Sequence, residues 1–304
     1  MVLAVAPRFE FGSTPVCVCG VDLKDVASTR SREFPWGTLR FARCPACGTW
    51  LHSPTLTAKC LAAWYDSPEY QGAGAGPYLD YADSEAGRLA EASARYRRDL
   101  APILQPGARV LEVGCATGSL VKVLGEHGHD VVGIDLSQEF VKQAQVKGLN
   151  VEAQDFAAFQ AAPASFECIV LLGTFSNLQN LRGHLDHMHE LLAPGGLLYF
   201  NAPLCDSRTH RAYGARSWMF APSAQQFCTF EGVRRALALS GFSIERSARD
   251  RQMPTVSKLL GLGRLRGLYP LVKRLGVGGT TPPAAVPIPG VRMVWARRLK
   301  SAQV

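Results

Sequence analysis

The stretch whose reading decides the fold is "RVLEVGCATGSLVKVLGEHGHDVVGIDLS", Arg109–Ser137. Val110–Val113 is an aliphatic run too short for a helix and closed by Gly114, as a buried parallel strand should be. Gly114 and Gly118 bracket Cys115, Ala116 and Thr117, giving the backbone freedom that a strand-to-helix turn needs. Ser119–Glu126 reads as the helix that follows, and Asp130–Ile134 as a second strand ending in Asp135. A carboxylate at that strand end, about 20 residues past the glycine turn, stands where dinucleotide-type folds meet a ribose. The expected fold class is α/β with a Rossmann-like sheet.

Two residues speak against a dinucleotide. Ala116 occupies the place of the second glycine that lets backbone approach a pyrophosphate, and Glu112 puts negative charge where two phosphates would lie. S-adenosylmethionine brings an ammonium, a sulfonium and a ribose but no phosphate, so Glu112 beside the turn and Asp135 at the ribose diol form a consistent pair. The run "EVGCATG" resembles the E-x-G-x-G-x-G motif of class I S-adenosylmethionine-dependent methyltransferases, with Ala116 at the middle glycine. That resemblance implies a seven-stranded, mostly parallel sheet with S-adenosylmethionine as co-substrate. It assigns cofactor contacts to Glu112, Gly114, Cys115, Ala116 and Gly118 at the turn and to Asp135 and Leu136 at the second strand end. After a third strand at Asn150–Ala153, "QDF" offers Asp155 as acceptor for the adenine amine and Phe156 as a wall beside the ring. Leu172 and Gly173 close a fully apolar fourth strand, Phe166–Leu172, at the sheet edge where parallel folds bind ligands. "LAPGG" resembles the step before strand five, and "VRMVWARR" is expected as a final antiparallel strand. Many relatives carry an acid and a histidine after the fourth strand, where Ser176 and Asn177 stand here. Many zinc-ribbon relatives carry a histidine where this chain has Gln226.

The chain has 304 residues, 47% hydrophobic and 19% charged, enough for one substantial core and a small appended module. No apolar run approaches the roughly 18 residues of a membrane span. The opening "MVLAVAPRFE" lacks the basic start and the length of a signal peptide, so a cytoplasmic location is expected. The formal charge of +8 comes largely from scattered arginines and reads as a solubility property. Nine cysteines, an odd number with some in tight pairs, point to metal or free thiols and away from a disulfide framework. Cys17 and Cys19, then Cys44 and Cys47, supply four thiolates for a tetrahedral zinc ion, although Val16 stands where a regular knuckle would start. Four sulfur ligands leave no open position, so the expected zinc is structural. The resulting organisation is a zinc-binding ribbon at 1–60, a linker, lid and leading helix at 61–108, and a cofactor-binding domain at 109–304 with a cover segment at 250–290.

Tyr70, Tyr78 and Tyr81 lie in the Gly- and Tyr-rich lid. His184, His187 and His189 look like a metal cluster until Leu181, Leu185, Met188 and Leu192 are seen to form the apolar stripe of their helix. The loop Asp206–Trp218 is crowded with Arg, His, Tyr and Trp, and His210 is its candidate general base. Lys258–Leu275 is basic and amphipathic, expected as a helix covering the pocket, with membrane contact as the alternative. The whole order resembles bacterial small-molecule methyltransferases with a zinc module, including sugar C-methyltransferases, without the further C-terminal domain of the latter. The function this implies is in-line methyl transfer to a small acceptor such as a secondary metabolite or quinone-like molecule. The alternatives are an RNA methyltransferase, for which the ribbon lacks an Arg/Lys stripe with interleaved aromatics, and a non-catalytic S-adenosylmethionine-binding protein. The oligomeric state is not legible.

Overall fold

The computed structural model describes residues 8–67, 70, 85–214, 217, 220–252, 271, 274 and 285–299. Three short strands come first, β1 (Ser28–Phe34), β2 (Gly37–Arg43) and β3 (Trp50–His52), paired antiparallel. Helix α1 (Ala58–Tyr65) follows, its first turn capped by the Thr57 side chain accepting from the Cys60 N–H. Helix α2 (Glu85–Arg95) does not go on as a regular helix. Instead it widens into a π turn at Tyr96–Leu100, closed by the Ala101 N–H on the Tyr96 carbonyl at 2.8 Å. Arg95, Tyr96, Asp99 and Leu100 are all buried along this turn.

The central sheet is built from β4 (Arg109–Val113), β5 (Asp130–Asp135), β6 (Val151–Ala153), β7 (Phe166–Leu171), β8 (Leu192–Pro203), β10 (Phe242–Gln252) and β11 (Val286–Arg298). Their order is β10-β11-β8-β7-β4-β5-β6, with only β11 running against the others. That is the expected seven-stranded, mostly parallel sheet. Between the strands lie α3 (Ser119–Glu126), α4 (Gln138–Val146), α5 (Leu181–Leu191), α6 (Arg208–Tyr213) and α7 (Phe230–Leu239). One face of the sheet packs on α2, α3 and α4 through Tyr96, Leu120, Leu124 and Val141, the other on α5 and α7 through Leu185, Met188, Val233 and Leu237. The expected stripe of Leu181, Leu185 and Met188 is buried. The histidines beside it pack on rings, His184 and His187 against Phe156 and His189 against Phe242.

One element departs from expectation in a way that matters for the site. Gln226–Phe227, for which the sequence predicts no strand, is strand β9 and pairs antiparallel with Trp50 and Leu51 of β3. Two residues are too few to show an alternating pattern. Through β9 the chain's C-terminal half completes the N-terminal sheet, and a third core of Trp36, Phe41, Trp64, Phe220 and Phe227 fills the space between. Among the described residues no helix is long and apolar enough to cross a membrane.

Candidate functional site

The parallel strands β4, β5 and β7 end together, and their following turns enclose a cleft. The first turn is the tightest. Gly114 has φ +77°, and a Cβ added there would lie 2.0 Å from Thr174 Oγ1, so the turn after β4 presses directly on the turn after β7. Ala116 also has a positive φ, 47°, and its N–H donates to Asp135 Oδ2 at 2.8 Å. The Ser137 N–H donates to Asp135 Oδ1 at 2.9 Å, so both carboxylate oxygens are fixed by backbone while each keeps a lone pair for a ligand. Burial raises the Asp135 pKa against those two hydrogen bonds, and the nearby Asp66 adds to the rise.

The cleft has about 740 Å³ of empty volume, solvent mouth included. Of the predicted cofactor residues, Gly114, Ala116, Asp135, Leu136, Asp155, Phe156, Leu172 and Gly173 line it. Asp155 also caps the 3-10 turn Phe156–Ala158 by accepting from the Ala157 N–H at 3.0 Å, so its capping and wall positions coexist. Glu112, Cys115 and Gly118 do not line the cleft. Glu112 lies in β4, 4% exposed, its Oε2 without a hydrogen-bond partner, and burial pushes its pKa up to about 8. Cys115 packs beneath Gly133, and Gly118 supplies the left-handed backbone that starts α3, with Leu149 against it. Sequence reasoning missed Tyr65, Phe140, Gln154 and Leu178 in the wall. Tyr70 lies there with its ring edge-on to Tyr65, centroids 4.9 Å apart. Tyr78, Tyr81, Trp218 and Lys258–Leu275, apart from Leu271 and Arg274, fall outside the described residues.

The profile of the methyltransferase-domain family matches residues 86–247, more than half of the chain. The chain belongs to the methyltransferase-domain family. Its sequence is 35% identical over 100 residues to a ubiquinone biosynthesis O-methyltransferase of Xylella fastidiosa, covering 31% of this chain and 41% of that protein. It is 28% identical over 169 residues to a malonyl-(acyl-carrier protein) O-methyltransferase of Enterobacter lignolyticus, covering 53% and 64%. The match thus spans less than two thirds of either relative. Among solved structures, the magnesium protoporphyrin IX methyltransferase of Synechocystis PCC 6803 with bound SAH superposes with a TM-score of 0.51 at 16% identity, over 80% of this chain and 100% of that one. A (4+2) cyclase, SpnF, superposes equally well, with a TM-score of 0.51 at 16% identity over 80% of this chain and 96% of its own. These two likenesses establish the fold of the methyltransferase domain and not its reaction.

The other predicted site residues sit apart from the cleft. His210 does not line it. In α6 it is 4% exposed, its ring 5.3 Å from that of Phe220 and its Nδ1 without a hydrogen-bond partner. Burial, then the charge of Arg30, lowers its pKa. The sulfurs of Cys17, Cys19, Cys44 and Cys47 all lie within 4.8 Å of one another, with Cys17–Cys47 at 3.5 Å and Cys19–Cys44 at 3.6 Å. A zinc ion with bonds of about 2.3 Å sets a sulfur–sulfur edge of about 3.8 Å, so the donor set fits such an ion. Among the described residues this is the one His/Cys/Asp/Glu cluster able to hold a metal.

Proposed function

We propose that this chain transfers the methyl group of S-adenosylmethionine to a small-molecule acceptor. The observation that carries this reading is the cleft at the carboxyl ends of β4, β5 and β7, with the doubly anchored Asp135 carboxylate in its wall. In this reading Asp135 accepts from the ribose diol, and Leu136, Asp155 and Phe156 hold the adenine. Gly114, Ala116, Leu172 and Gly173 line the methionine end. The neighbouring Glu112 carboxyl, buried and raised, is returned to its charged form by the arriving ammonium and sulfonium. Cys115 and Gly118 support the turn from behind. In this reading residues 1–60 form the metal-held module, 61–108 the linker, lid and leading helix, and 109–304 the transferase domain with a cover segment at 250–290, and β9 pairs with the first of these.

The reaction needs little beyond alignment. The acceptor's nucleophile attacks the sulfonium methyl in line with the carbon–sulfur bond, the electron pair leaves on sulfur, and S-adenosylhomocysteine is released. Both named relatives are O-methyltransferases, which favours an oxygen nucleophile. No histidine lines the cleft among its described residues. An acceptor that reacts as a carboxylate or phenolate asks for none, and we place His210 in the support of its loop. A zinc ion held by Cys17, Cys19, Cys44 and Cys47 would be structural, since its four sulfur ligands complete the tetrahedron.

Incubation with methyl-labelled S-adenosylmethionine and a panel of phenols, quinols and carboxylic acids tests the reading. Label is expected in one acceptor class, with one S-adenosylhomocysteine formed per methyl transferred. Tight cofactor binding without transfer to any of the panel would favour the non-catalytic alternative.

A further inference from the structure

Within "LLYFNAP" of β8, Asn201 is the lone amide in an apolar strand, 5% exposed. Its Oδ1 accepts from the Gly173 N–H at 2.6 Å, at the turn that walls the cleft. Its Nδ2 donates to Asp250 Oδ2 at 2.8 Å, and Asp250 Oδ1 accepts from Arg95 Nη1 at 3.0 Å. Asp250 is 0% and Arg95 1% exposed. Asp250 reaches this position where the register of β10 against β11 breaks between Arg249 and Arg251, an irregularity of the kind that re-aims a side chain. The same network takes in Tyr199, whose hydroxyl donates to Asp99 at 2.8 Å, and Gln252, which donates to Asp250 Oδ2 at 2.7 Å.

A buried ion pair contributes little net stability compared with apolar residues of the same volume. What it does contribute is direction. Burial pushes the Asp250 carboxyl up, but the Arg95 charge and the hydrogen bonds from Asn201 and Gln252 outweigh it and keep its pKa below the ordinary value. A carboxylate only accepts, so the Asn201 NH₂ must face it, and the Asn201 carbonyl oxygen must therefore face Gly173. The Gly173 carbonyl is held in turn by Asn177 Nδ2 at 3.2 Å. Gly173 has φ +74°, and the adjoining Thr174 is the residue that a Cβ on Gly114 would strike. A shift of a few tenths of an ångström at Gly173–Thr174 therefore passes directly to Gly114 and the Asp135-bound turn.

We infer that Asn201 is a positioning residue of the cofactor cleft, oriented by the buried Asp250–Arg95 pair, which links α2 and β10 to the turn that meets the ligand. This rests on the reading of the cleft as an S-adenosylmethionine site. It is tested by titrating S-adenosylhomocysteine into four proteins: the unmodified chain, Asn201→Asp, Asp250→Asn and the double exchange. Asn201→Asp sets two carboxylates against each other, and Asp250→Asn removes the acceptor that fixes the amide. The double exchange restores the links that hold Gly173: Asp at 201 accepts from the Gly173 N–H and from the new amide at 250, whose carbonyl oxygen still accepts from Arg95. Each single variant is expected to bind about tenfold or more weakly, and the double variant to return to within about threefold of the unmodified chain. Urea unfolding and circular dichroism on the same samples separate binding from folding, and Asn201→Ser provides a milder probe if a charged variant does not fold. Folded single variants or Asn201→Ser with unchanged affinity, or a folded double variant no better than the singles, would overturn the inference. No binding by the folded unmodified chain would instead overturn the functional reading, and this inference with it.

Discussion

Asp135→Ala is expected to weaken S-adenosylmethionine binding by about ten- to a hundredfold. A hydrogen bond to a charged group contributes about 1.5–3 kcal/mol, and each 1.4 kcal/mol is about a factor of ten. The alanine variant also orphans the N–H groups of Ala116 and Ser137, which now share the carboxylate. Asp135→Asn separates the two effects, because its one carbonyl oxygen still anchors one of those groups while the charge is gone. Calorimetric titration should rank unmodified, Asn and Ala in falling order with the secondary structure unchanged by circular dichroism. Equal affinities for all three would remove Asp135 from the ligand's surroundings.

A zinc ion held by Cys17, Cys19, Cys44 and Cys47, as proposed, predicts the larger effect on stability. Structural zinc in small cysteine modules carries an apparent binding energy of about 10–16 kcal/mol that is also folding energy. Here the cysteine turn is joined to the rest of the fold at short range. Thr229 Oγ1 donates to the Cys47 carbonyl at 2.7 Å, and a Cβ on Gly232 in α7 would meet Thr49 Oγ1 at 2.5 Å. β9 lies just before Thr229, and Gln226 donates to the Leu178 carbonyl at 2.7 Å, in the wall of the cleft. Cys44→Ser is therefore expected to carry no zinc, to unfold at markedly lower temperature and to bind S-adenosylhomocysteine more weakly. Metal analysis and thermal melting check this. Protein purified without chelator that holds no zinc, or a Cys44→Ser variant that melts like the original, would defeat it.

The central sheet was legible because its signals are local: aliphatic runs, a glycine turn and a carboxylate at a strand end all lie within Arg109–Ser137. The cleft residues taken from that stretch followed for the same reason. Glu112, Cys115 and Gly118 share the motif but not the lining, since alternation along β4 and the handedness of the turn send their atoms into the core. Tyr65 and β9 were not legible, because a tyrosine at a helix end and a two-residue strand carry no pattern. Asn201 did leave a signal, a lone amide among apolar neighbours, but its partners Asp250 and Arg95 lie 49 and 106 residues away in sequence, and nothing local joins them. His210 shows the converse: a polar, crowded loop reads as a site, while packing turns its imidazole toward Phe220.

The measurement that bears most directly on the central claim is a calorimetric titration of the purified, folded chain with S-adenosylhomocysteine. The account predicts saturation at one molecule per chain, with competition by S-adenosylmethionine and none by a nicotinamide dinucleotide, whose pyrophosphate the turn at Ala116 disfavours. A folded chain that takes up no S-adenosylhomocysteine, or that prefers the dinucleotide, would contradict it.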